Sequence, residues 1–222
     1  MKNIDFARND IDLYPVLQQA TLDEKAFLAE IISDKYSSSI DKNELDALKL
    51  TIELQRMGGD SLVNLFRNRG VSYREIAVDV ATKVGAKIDS KSNIIKIEEL
   101  IAERVIEGYK EKLTEKERNE FEVVLRESIE NGKQAMDAKN AAARSIIGMT
   151  PALLAIGSFI LRRGAITTIP VAGQFLGVIT GVASVVLAFT GTAYSVTIPS
   201  VLIVGSIRSR LIAEKFATQV EL

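Results

Sequence analysis

Asp60, Ser61, Tyr73 and Arg74 form the one cluster whose residue types and spacing invite a chemical reading. A carboxylate, a hydroxyl, a phenol and a guanidinium in one short stretch are enough for proton transfer or anion binding. Little else in the chain supports catalysis. Its 222 residues include no His and no Cys. Ser-His-Asp and Cys-His nucleophilic mechanisms are therefore impossible within it, as are disulfides and thiolate chemistry. Gly58-Gly59-Asp60-Ser61 has the outline of a phosphate-binding turn, but it lacks the Lys and the full glycine spacing of a P-loop. A helix stop followed by an N-cap accounts for it. Glu98, Glu99 and Glu103, and Glu115, Glu117, Glu120 and Glu122, are acidic clusters that in principle hold a hard cation. Lys and Arg are interleaved with both at helical spacing, so they are expected as solvated helix faces with ion pairs. The expectation is a non-enzymatic protein with no catalytic set, no bound metal and no cofactor.

The elements that must position these residues all read as helices. Thr21 with Glu24 is a capping box, followed by the apolar stripe Phe27, Leu28, Ile31 and Ile32. A second helix is expected over about 42–57, with Leu45, Leu48 and Ile52 on one face and Gly58-Gly59 as a left-handed stop. A short helix is expected over about 61–68. Ser72 with Glu75 is another capping box, opening a helix that Gly85 closes after Val84. Ile94, Ile97, Ile101 and Val105 share a face of a helix over about 93–113, and Thr114 with Glu117 opens the next. No segment alternates apolar and polar residues between turn signals, so no sheet is expected. The stretch 71–85 has the outline of a helix-turn-helix, but Arg74, Glu75, Asp79 and Lys83 are a balanced set and not a basic reading face. With a net charge of −1, the chain is not expected to bind nucleic acid.

The C-terminal third differs in kind. Ser145 to Ile207 holds only two charges, the pair Arg162 and Arg163. Residues 1–144 carry a net −4 and residues 145–222 a net +3. A subdomain boundary is expected near residue 143, dividing an amphipathic helical part (1–143) from an apolar hairpin with a terminal helix (144–222). Pro151 and Pro170 each open a helix of that hairpin, and Arg162-Arg163-Gly164 turns between them. Pro199 is expected to open the last helix. Gly173, Gly177 and Gly181 recur every four residues and make a row along one helix face. Such a row lets another backbone approach closely, in a membrane, in a soluble core or in an oligomer. The 21 residues from Pro170 to Thr190 would span about 30 Å as a helix, enough to cross a bilayer. A fixed two-pass hairpin would carry Arg162 and Arg163 to the far side, against the cytoplasmic bias of basic residues. The N-terminus is polar and acidic, without a signal-peptide core, so a cytoplasmic protein is expected, with possible association at the inner membrane.

Two stretches resemble the YaaW family of uncharacterised bacterial proteins. One is residues 54–80, with Gly58, Gly59, Asp60, Ser61, Asn64, Arg67, Gly70, Tyr73, Arg74 and Asp79; the other is residues 191–210, with Gly191, Ala193, Tyr194, Thr197, Ile198 and Pro199. The opening segment, IDLYPVLQQATLDEKAFL, is similar to that family's first helices, with Gln or Ala where a Cys is frequent. The resemblance implies an all-helical fold and no established activity. Its middle part is loosely grouped with the ubiquinol–cytochrome c chaperone domain, an all-helical assembly factor. The expected fold is thus an all-α multi-helix bundle with an apolar, glycine-rich C-terminal hairpin. The expected function is membrane association through that hairpin; the alternative is a soluble protein-binding module or assembly chaperone with the hairpin as permanent core.

Overall fold

The computed structural model describes residues 2–35, 45–58, 70–111 and 194–220, with parts of 114–126. Seven helices are ordered along the described chain: α1 (Lys2–Arg8), α2 (Tyr14–Gln18), α3 (Leu22–Lys35), α4 (Ala47–Gly58), α5 (Tyr73–Val84), α6 (Ile94–Lys110) and α7 (Tyr194–Val220). No strand occurs among the described residues, and the fold is all-α.

Local chemistry sets where these helices start. At α3, the Thr21 hydroxyl accepts from the Glu24 amide (3.2 Å) and the Glu24 carboxylate accepts from the Thr21 amide (2.8 Å). Asp46 accepts from the amides of Leu48 (2.6 Å) and Lys49 (3.0 Å), which starts α4 at Ala47, later than the sequence spacing suggests. Ser72 and Glu75 form a complete capping box before α5, and Gly85 ends that helix with φ 76°. The Asn93 side chain accepts from Lys96 N–H (2.8 Å) before α6. Each cap satisfies amides that lack an intrahelical partner.

Two glycines allow close approach between α4 and the chain entering α5. Gly58 is the last residue of α4, where the sequence placed the stop; Gly59 lies outside the described residues. A Cβ at Gly58 would lie 2.7 Å from Ile76 Cδ1 and 2.8 Å from Val71 Cγ2. At Gly70 it would meet Gln55 Cβ at 2.9 Å and the Gln55 carbonyl carbon at 3.1 Å, and next to it the Val71 amide donates to the Gln55 carbonyl (3.2 Å). Gly58 thus ends the helix as the sequence marked, and packing against Ile76 and Val71 is a second reason for glycine there.

α7 is the central element. It packs against α2, α3, α4, α5 and α6. Val196, Ile198, Val201, Leu202, Ile203, Val204 and Ile207 are all buried. They lie all round the helix rather than on one stripe, the pattern of a helix enclosed by others. The helix runs through Pro199 rather than starting there. Proline offers no N–H to the carbonyl of Ser195, but a residue near the first turns disturbs few helical bonds. The helix expected over 61–68, the remainder of the helix after Thr114, the two hairpin helices and the boundary near 143 lie outside the described residues or are only partly described.

Side-chain contacts fix the helix directions. Arg74, near the start of α5, donates to the carbonyl of Ser92, just before α6 (2.6 Å). Beyond the end of α5, a Cβ at Gly85 would lie 3.8 Å from Arg104 Nε on α6. The two helices therefore run parallel, and residues 85–93 return along them. Tyr194, at the start of α7, lies under Lys83 near the end of α5, while Tyr73 at the start of α5 reaches the Val201 carbonyl farther along α7. α7 is thus antiparallel to α5.

Candidate functional site

The antiparallel path of α7 carries Arg208 to the start of α6. There it meets Glu98, whose side chain is 1% exposed. Arg208 Nε donates to Glu98 Oε2 (2.9 Å) and lies 3.2 Å from Oε1; its Nη2 donates to Oε1 (3.2 Å). The same Nη2 donates to the backbone carbonyl of Asp12, in the turn between α1 and α2. Tyr73, completely buried, donates its hydroxyl to Glu98 Oε1 (2.7 Å), and the Arg208 guanidinium carbon lies 5.8 Å from the centre of its ring. A second buried carboxylate adjoins the group. Asp10 Oδ2 accepts from the Gln55 side-chain amide (2.7 Å) and from the Tyr73 backbone N–H (2.8 Å), and its Oδ1 accepts from the Asp12 amide (3.2 Å). The α1–α2 turn, α4, α5, α6 and α7 therefore meet at one polar centre inside an apolar core.

The electrostatics hold protons in place. Burial pushes the Tyr73 phenol well above its ordinary value, and the neighbouring Glu98 adds to this against a smaller opposing pull from Arg208. Burial also raises Glu98, against the counter-pull of the Arg208 charge and of its hydrogen bonds from Arg208 and Tyr73. For Arg208, burial disfavours the charge, but the Glu98 carboxylate and the other surrounding groups outweigh it and the value rises. Tyr73 is thus a neutral donor and Arg208 a cation. The geometry joins five parts of the chain through matched donors and acceptors. It provides no exposed nucleophile, and no group of His, Cys, Asp or Glu able to hold a metal occurs among the described residues.

A second contact lies on the same helix, two residues on. Arg210 donates through Nε to Glu24 Oε1 (2.9 Å) and through Nη2 to Glu24 Oε2 (2.8 Å), and also reaches the Gln19 carbonyl (3.3 Å). Glu24 is the capping-box residue of α3, so one carboxylate both caps α3 and binds α7. Arg210 additionally pairs with Glu214 (2.8 Å).

The sequence expectations fare unevenly here. Glu98 and Glu99 are buried, not parts of a solvated face; only Glu103 of that trio is exposed. Glu98 follows Ile94 by four residues and precedes Ile101 by three, so it lies within the apolar stripe of its helix. That position was the available signal, and the interleaved Lys and Arg obscured it. Tyr73 is not a surface residue, because its ring fills the core and its hydroxyl serves Glu98. Asp10, Gln55 and Arg208 carried no local signature; the partners that join them to other helices lie 45 to 196 residues away. Arg74 is separate from the cluster, on Ser92. Asp79 and Tyr194, one from each of the two matching stretches, do come together: the Asp79 carboxylate is near enough to act on the Tyr194 phenol, and Lys83 Nζ lies 4.8 Å from the Tyr194 ring centre. Burial and the Asp79 carboxylate both raise the Tyr194 phenol. Thr197 is buried in α7. Gly59, Asp60, Ser61, Asn64, Arg67, Arg162, Arg163, Gly173, Gly177, Gly181 and Gly191 lie outside the described residues.

Fold and site together define an all-α protein closed by an enclosed C-terminal helix and a buried Arg–Glu–Tyr centre. The chain belongs to the UPF0174 family. It is 30% identical over 173 residues to the UPF0174 protein YaaW of Escherichia coli K12, covering 76% of this chain and 71% of that one. A UPF0174 protein of Helicobacter pylori J99 is 26% identical over 221 residues, covering 89% of this chain and 85% of the relative. Neither name states an activity. No protein-family model matches the chain. No solved structure matches it.

Proposed function

We propose that this is a non-enzymatic helical protein of the cytoplasm that associates with the inner membrane, inserting conditionally, through the apolar stretch preceding α7. The observation that carries this reading is the composition of residues 145–193, where Arg162 and Arg163 are the only charges. A stretch this apolar needs a non-aqueous surrounding, and Pro170–Thr190 has the length to cross a bilayer. The arginine pair opposes a constitutive two-pass anchor. The row Gly173, Gly177 and Gly181 offers a face for close helix packing, including against a second copy.

One observation favours a second reading, a soluble protein-binding module or assembly chaperone. The segment Tyr194–Ile212 is long and apolar enough to span a membrane, yet 89% of it is buried within the fold. An apolar helix in this chain can therefore be core, and the preceding stretch would then be core as well. Its partner surface would be the polar 60–79 region. Flotation of the purified full chain with vesicles of phosphatidylethanolamine and phosphatidylglycerol separates the two. The membrane reading expects the protein to rise with the vesicles, and Leu176→Lys to reduce that fraction several-fold. A chain that stays in the soluble fraction at every pH and lipid ratio contradicts it and supports the soluble module.

A further inference from the structure

α7 has the length and composition of a membrane span but is fastened at both ends. At its start, the Tyr194 ring sits under Lys83 of α5, 4.8 Å from its Nζ. In its C-terminal half, Arg208 is tied to Glu98 of α6 and to the Asp12 carbonyl, and Arg210 to Glu24 of α3 and to the Gln19 carbonyl. The two ends are about 20 Å apart, at roughly 1.5 Å per residue. Residues two apart on a helix point in nearly opposite directions, about 200° round the axis. The two arginines accordingly reach different helices, and neither rotation nor sliding of α7 can keep both contacts. Withdrawing α7 would strand the carboxylates of Glu98 and Glu24, which are 1% and 4% exposed, without their counter-ions. Leaving a buried charge unpaired is among the most costly changes a core can undergo.

We propose that α7 is a fixed stem: any movement of residues 145–193 toward a membrane stops at Tyr194, and the arginine contacts are what hold the stem in the core. This rests on the membrane reading above, for which it sets the C-terminal limit of the lipid-inserting stretch. α7 behaves as one unit with α5 and α6 and opens only when the whole core opens.

The test is hydrogen exchange of the full chain, read over 196–207 on α7 and 97–105 on α6, in buffer and with vesicles of phosphatidylethanolamine and phosphatidylglycerol. In buffer, the slowest amides of both segments should exchange together, through global opening. Vesicles that carry the protein upward in flotation should leave 196–207 within two-fold of its protection in buffer. Opening of 196–207 ahead of 97–105, or a ten-fold loss of its protection on vesicle binding, would overturn the proposal. A chain that does not float refutes the membrane reading alone, because the buffer comparison still decides whether α7 is fixed. Glu98→Gln/Arg208→Gln should make 196–207 exchange at least ten-fold faster relative to 97–105, with 97–105 reporting that the variant is folded. Arg210→Gln, a milder change at the edge, should shift the same ratio in the same direction. An unchanged ratio in both variants would show that the arginines do not hold the stem.

Discussion

Arg208 and Arg210 stand two residues apart on one helix, and each pairs with a buried glutamate, yet their surroundings differ. The Arg208–Glu98 side chains are 11% and 1% exposed and Tyr73 closes over them. The Arg210 side chain is 19% exposed and shares its charge between buried Glu24 and open Glu214. The inner pair lies in the core, where Coulomb attraction is strong but both desolvation costs are large. The outer pair costs less to bury and is more exposed to screening by salt. The same two residue types thus make an internal fastening in one place and an edge contact in the other.

Removing one member of the inner pair should have the largest effect. Arg208→Gln or Glu98→Gln should cost about 3–5 kcal/mol in urea unfolding, because each leaves a buried charge unmatched. Replacing both by apolar residues, Glu98→Leu/Arg208→Met, should recover most of that loss, since a packed apolar pair often equals or exceeds a buried ion pair in stability. Arg210→Gln should cost less, about 1.5–3 kcal/mol, in the range of a charged hydrogen bond. Raising salt should erode the Arg210 contribution and leave that of Arg208 nearly unchanged. Equal costs, or equal salt responses, would erase the distinction between the two pairs.

Tyr73 sharpens the contrast through pH. The folded protein holds the phenol proton well above its ordinary value, whereas the unfolded chain releases it near pH 10. Above that pH the unfolded state gains an ionisation that the folded state resists, so stability falls as pH rises. Tyr73→Phe should flatten this alkaline decline, measured by circular dichroism against tyrosinate absorbance, while losing the bond to Glu98. For Glu98 the sign is the same. Its carboxyl is raised in the fold, so stability from this group is present at low pH and is lost as pH rises through the raised value. Glu98 therefore adds no acid-unfolding step.

The smallest expected effect is a gain. Ser200 Oγ is buried in α7 with no hydrogen-bond partner among the described residues. Ser200→Ala should raise stability by about 1 kcal/mol, because it removes a desolvated hydroxyl. No gain, or a loss, in thermal unfolding would mean that the hydroxyl is satisfied in solution.

What the sequence made legible follows the range of each interaction. The boxes Thr21–Glu24 and Ser72–Glu75, and the Gly85 stop, involve residues three to five apart and are visible as spacing. The all-helical character follows from the same local signals. The centre is different: Arg208 and Glu98 are 110 residues apart, and nothing near either names the other. Pro199 misled because proline usually starts a helix, and here five residues precede it in α7. Gly58 ended its helix as read, but its second role, admitting the Ile76 and Val71 side chains, has no mark in the sequence.

The central claim is that the buried pair of Glu98 and Arg208 fastens α7 into the core, and a double-mutant cycle tests it most directly. Urea unfolding of the full chain, of Glu98→Gln, of Arg208→Gln and of the double variant gives their coupling energy. The double variant should lose at least about 2 kcal/mol less than the sum of the single losses, as expected for groups in one buried network. Single losses that add to within about 0.5 kcal/mol, the behaviour of independent sites, would contradict it.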